Sequence, residues 1–141
     1  MSRYFNFIDH TADIAVEVKA DSLEELFIAS ALAFKETVFE PDSIISKEQH
    51  HLKLNSHSLE SLLVNFLNEL NFRLTSQKKI VKNFTDVKIY QNDDNWNLEC
   101  TLHESEVDED KIKTEIKSVT YHQMDLRKTD EGYKTIIVFD I

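Results

Sequence analysis

Two stretches of the chain repeat their apolar residues every three to four positions, and most of the remainder alternates apolar with polar. Leu23, Leu26, Phe27, Ala31, Phe34 and Val38 recur at helical spacing and make one apolar face. Ser22 with Glu25 forms a capping box ahead of them, Asp21 is an equally good cap, and Pro41 suits the stop. A second helix is predicted from about Ser58 to Ser76. Leu59, Leu62, Leu63, Phe66, Leu67, Leu70 and Leu74 form its stripe, with Glu60, Asn65, Asn68, Glu69 and Arg73 toward water. Both stripes are read as core.

Elsewhere the period is two. Ile14, Val16, Val18 and Ala20 alternate with Ala15, Glu17 and Lys19, as a half-buried strand does. Leu52 and Leu54 mark a short strand. Val87 and Ile89, then Trp96, Leu98, Cys100 and Leu102, flank the turn cluster Asn92-Asp93-Asp94-Asn95, which predicts a hairpin over 86–102. Glu104 to Asp110 reads as an acidic loop. A second hairpin is predicted from 115–127 and 132–139, with Gly132 at a turn position of positive φ. The expected architecture is α+β, one domain over 1–141. Two amphipathic helices pack on a mainly antiparallel sheet in the approximate order ββαβαββββ.

Composition narrows the function. The chain has 141 residues, enough for one domain, and 41% of them are hydrophobic. Its 26 acidic and 16 basic residues give a net charge of −10, which disfavours direct nucleic-acid binding and suits a cation or a basic protein partner. Gly132 and Pro41 stand alone as glycine and proline, so no glycine-rich phosphate loop exists, and the Walker and Rossmann fingerprints are excluded. Cys100 is the single cysteine; an internal disulfide and a Cys-x-x-Cys metal motif are therefore excluded, and it reads as a buried, inert thiol. Without a signal-peptide core or a membrane-length apolar run, a cytoplasmic location is expected.

Three segments could carry chemistry. Asp9-His10-Thr11-Ala12-Asp13 packs two carboxylates, an imidazole and a hydroxyl into five residues. Carboxylates suit hard cations and imidazole softer ones. The same segment also reads as a plain turn, with Asp9 or Asp13 capping backbone N–H groups. The chain closes on Ile136-Ile137-Val138-Phe139-Asp140-Ile141, a strand pattern to its last residue, where Asp140 and the Ile141 carboxylate would make half a divalent-ion site. Within Glu115 to Gln123, the side chains of Lys117, Thr120 and His122 are read as one polar binding face opposite Val119 and Tyr121. His50, His51, His57 and His103 read as surface. No Ser-His-Asp or Cys-His nucleophile arrangement can be drawn.

These segments, in order, resemble the archeases, accessory proteins of the RtcB-type RNA ligase. Phe7-Ile8-Asp9-His10-Thr11-Ala12-Asp13-Ile14 resembles the family's His-Thr-Ala-Asp signature, and Asp21-Ser22-Leu23-Glu24-Glu25-Leu26-Phe27 its first helix. Glu115-Ile116-Lys117-Ser118-Val119-Thr120-Tyr121-His122 is similar to its Lys-Ala-(Val/Ile)-Thr-Tyr-His segment, with Ser118 where alanine is usual. Val138-Phe139-Asp140-Ile141 resembles its terminus. The resemblance implies a non-catalytic activator of a GTP-dependent, metal-requiring RNA ligase in tRNA splicing or RNA repair. That activator promotes ligase guanylylation and multiple turnover. It implies a divalent cation, calcium first, on Asp13, Asp140 and Ile141. His10, Lys117 and His122 would be partner-facing or orienting groups, and RNA would be met only through the ligase. The alternatives are a stand-alone metal-dependent hydrolase and a chaperone-like binding module.

Overall fold

A computed structural model describes residues 3–8, 13–39, 46–120 and 124–141. Both helices form where the periodicity places them. α1 spans Leu23–Val38 and α2 spans Leu59–Thr75. Ser22 accepts the Glu25 N–H at 3.2 Å and Ser58 accepts the Ser61 N–H at 3.0 Å, so each helix begins on a serine cap that satisfies an otherwise orphaned donor. Pro41, read as the stop of α1, lies outside the described residues.

The strands are β1 (Arg3–Ile8), β2 (Asp13–Ala20), β3 (Glu48–Ser56), β4 (Lys79–Asn92), β5 (Asn95–Glu106), β6 (Ser118–Thr120), β7 (Arg127–Thr129) and β8 (Gly132–Asp140). They form two antiparallel sheets. One is β1-β2-β8-β6 with β7 also on β8; the other is β3-β5-β4. α1 packs on β1, β2 and β8 and reaches β4; α2 packs on β3, β4 and β5 and touches β6. The core between them is aromatic. Phe27 meets Phe66 with ring centroids 5.8 Å apart, Phe66 meets Phe84 at 5.6 Å, and Phe34 meets Phe139 at 6.2 Å. Asp93 and Asp94 both take positive φ (51° and 68°), as a two-residue hairpin turn requires. Gly132 sits at φ 138°, where a Cβ would stand 2.2 Å from the Ala20 carbonyl oxygen. Cys100 is buried on β5, and burial pushes its thiol up to about 11, so it is inert as predicted.

Two expectations need correction. Among the described residues five strands follow α2, not four. The stretch read as one strand over 115–127 is split into β6 and β7, both lying on one edge of β8. β6 takes the β8 positions Val138–Asp140 and β7 the positions Gly132–Lys134, so the two pair with separate parts of that strand. The second correction concerns charge. Arg73, expected on the wet side of α2, and Glu104, expected in an acidic loop, are both buried. Arg73 Nε donates to Glu104 Oε2 at 2.9 Å and its Nη2 to Oε1 at 2.5 Å, a bidentate pair that lets each tolerate burial. The carboxylate also holds the guanidinium pKa above its ordinary value.

Candidate functional site

The two carboxylates singled out at opposite ends of the sequence meet at one end of the five-stranded sheet. β2 and β8 run antiparallel in continuous register from Ala20↔Tyr133 to Asp13↔Asp140. Ile14, Val16, Val18 and Ala20 point to the helices, as do Thr135, Ile137 and Phe139, so strand alternation places Asp13 and Asp140 together on the opposite face. Directly opposed residues in such a pair hold their Cβ atoms about 4.5–5.5 Å apart. β8 stays ordered to Asp140 because Phe139 beside it is fully buried against Phe34.

The row continues onto a third strand, since Ser118 is the β6 partner of Asp140. Its hydroxyl side adds an oxygen that the sequence reading did not assign. Lys117 also reaches the site: its backbone N–H donates to the Asp140 carbonyl at 2.8 Å, and its side chain is exposed. Lys117 precedes β6, however. Three positions separate it from Thr120, which alternation would set on opposite faces, so Lys117 and Thr120 do not share the polar face expected of them. Thr120, not Lys117, shares the face of Ser118. His10 and His122 lie outside the described residues. Ile141 follows Asp140 and is 42% exposed.

Two carboxylates directly across a strand pair repel each other, and a cation relieves that repulsion. The donors are hard oxygens, which suit calcium or magnesium better than a thiophilic metal. Among the described residues no group of three or more His, Cys, Asp or Glu could hold a metal ion, so the two carboxylates stand there as a pair and not as a complete set of protein ligands. Beside it, Phe7, Ile8, Asp13 and Ile14 line a shallow depression of about 520 Å3 together with Glu36, Lys113 and Thr114. A larger depression of about 600 Å3 lies at the other end of β2 and β8, beside Lys19, Asp21, Asp130 and Lys134, and contains none of the candidate residues. The chemistry, not the larger hollow, marks the site.

α2 fixes this end of the sheet from the side. Asn68 Oδ1 accepts the Val119 N–H at 2.9 Å and its Nδ2 donates to the Val119 carbonyl at 3.2 Å, so one amide stands in for a neighbouring strand along β6. Asn71 Nδ2 adds a bond to the Ile116 carbonyl at 2.8 Å. Asn68→Ala is expected to destabilise the protein by roughly 1–3 kcal/mol, through two lost hydrogen bonds and two part-buried backbone groups left unpaired. Urea unfolding gives that value, and faster amide exchange at Val119 would place the effect at β6.

A family model described as the Archease protein family matches residues 5–141. The chain belongs to the archease family. An archease of Saccharolobus solfataricus is 35% identical over 142 residues, covering 99% of this chain and 99% of its own length. The solution structure of Methanobacterium thermoautotrophicum protein 1598 superposes with a TM-score of 0.80 at 30% identity, over 97% of this chain and 98% of that one. A Thermotoga maritima archease, described as a possible chaperone, shares the fold with a TM-score of 0.63 at 24% identity, over 95% and 94% of the two chains. The α+β architecture is therefore the archease fold. Among the described residues no helix is long and apolar enough to cross a membrane.

Proposed function

We propose that this archease is an accessory activator of a GTP-dependent RtcB-type RNA ligase, promoting ligase guanylylation and repeated turnover in tRNA splicing or RNA repair. The observation that carries the proposal is the Asp13–Asp140 cross-strand pair in a member of this family. With a single glycine the chain has no phosphate loop of its own, which supports assigning the nucleotide to the partner. Asp13, Asp140 and Ile141 would hold a divalent cation, calcium first. Such an ion would bring positive charge to phosphate oxygens at the ligase centre. Exposed Lys117, tied by its backbone to Asp140, would meet a phosphate or an acidic group of the ligase. His10 and His122 would orient neighbouring groups.

The test is to measure guanylylation of the ligase with GTP and divalent ions, with and without this protein. Faster guanylylation and multiple turnover on addition support the proposal. No stimulation, together with turnover of RNA or nucleotide by this protein alone, would instead establish a stand-alone metal-dependent hydrolase. A chaperone-like activity draws its support from the exposed side chains of Phe7 and Ile8 and from the description of the Thermotoga relative. It predicts protection of many unrelated clients from aggregation.

A further inference from the structure

Among the described residues β1 is an edge strand, and within its own length it lacks the devices that usually keep an edge from pairing. It is six residues long and in unbroken register with β2, without a bulge or a proline. Among the described residues no backbone hydrogen bond joins it to anything beyond β2. Its one charged residue, Arg3, lies at its start and is paired with Glu25 at 3.3 Å. From Tyr4 to Ile8 the strand carries no charge, in a chain whose net charge is −10. Tyr4, Phe7 and Ile8 are each at least 36% exposed, unusual for large apolar side chains on one short strand.

The order of those residues reads against itself. Register with β2 places Phe5 and Phe7 on the helix-facing side, opposite Val18 and Val16, and Tyr4, Asn6 and Ile8 on the other. Two copies of β1 meeting antiparallel about a two-fold axis through Asn6 keep both faces matched. Tyr4 then stands opposite Ile8 of the second copy, Phe5 opposite Phe7, and Asn6 opposite Asn6. Aromatic and β-branched pairs of this kind stabilise a sheet, and like charges do not meet. The neighbouring face-preserving register, centred on Phe5, sets Arg3 against Phe7 and Tyr4 against Asn6.

We infer that β1 is a self-association edge: two copies of this chain pair antiparallel through Tyr4–Ile8, centred on Asn6, joining their five-stranded sheets into one. The absence of charge on this stretch makes a second copy the fitting occupant, because it is where two strongly acidic molecules can touch without opposing carboxylates. The Ile8 ends point in opposite directions in such a dimer, which leaves each Asp13–Asp140 pair at an outer end of the joined sheet. A five-residue strand pair is a small contact, near or below the roughly 1,200 Å2 at the low end of specific interfaces, so the dimer should be concentration-dependent.

Light scattering across a wide concentration range should show mass rising from one copy to two. Antiparallel partners have Cα atoms about 4.5–5.5 Å apart, within disulfide reach. Asn6→Cys should therefore cross-link to a covalent dimer under mild oxidation, while Tyr4→Cys, opposite Ile8 of the second copy, should not. The native Cys100 is buried and does not compete. Asn6→Lys alone and Asn6→Glu alone should be monomeric, and mixing the two should restore a dimer, which also shows that both fold. A monomer at every concentration would overturn the inference. So would cross-linking of Tyr4→Cys as readily as Asn6→Cys, or dimerisation that Asn6→Lys leaves untouched.

Discussion

Glu104→Ala is expected to destabilise this archease by about 3–5 kcal/mol, the largest stability loss among these predictions, because it leaves the Arg73 guanidinium buried without its partner. Glu104 is 2% exposed, and both of its oxygens accept from Arg73. The remaining acid near Arg73 is Glu69, 3.6 Å from Nη1, which cannot supply the lost fork. The midpoint of thermal unfolding should fall by on the order of 10–20 °C. Replacing both partners together, as Arg73→Met with Glu104→Leu, should cost much less, since no charge is then stranded. A double replacement as harmful as the single one would mean that shape, not charge pairing, holds this part of the core.

Asp140→Asn is expected to have two opposite effects. Without divalent ions it should leave the protein as stable as the wild type or slightly more so, by a few tenths of a kcal/mol up to about 1, because a like-charge cross-strand pair is removed. With calcium it should lack the stabilisation that the proposed cation site would give the wild type. An ion at a hundredfold excess over its dissociation constant adds about 2.7 kcal/mol to a site that binds only the folded state. Thermal melts of both proteins with calcium and with chelator test this. A calcium-dependent rise equal in the two would remove Asp140 from the ligand set.

Much of the scaffold was legible from periodicity. The helices declared themselves through stripes such as Leu59–Leu62–Leu63–Phe66 and through serine caps, because a helix records its burial within a few neighbouring residues. β2 and the end of β8 were legible for the same local reason. What the pattern could not convey was pairing between distant segments. Asp13 and Asp140 were each recognisable as acids at the ends of apolar strands, but their apposition depends on β2–β8 register, a property of two strands together. Arg73 and Glu104 were misread for a related reason: a charged side chain looks solvent-facing until its buried partner is known. Asn68 looked like surface on α2, and only the position of β6 gives its amide two backbone partners. The split into β6 and β7 was hidden because 115–127 keeps an acceptable strand composition, while the parts of β8 that each strand pairs with are set elsewhere in the chain.

The most direct measurement for the central claim is guanylylation of an RtcB-type ligase by GTP, comparing wild-type protein with Asp13→Asn and Asp140→Asn proteins whose melts in chelator confirm that they are folded. The account predicts that the wild type accelerates ligase–guanylate formation and sustains multiple turnover, and that each asparagine variant loses most of that stimulation. Full stimulation by both folded variants would contradict it.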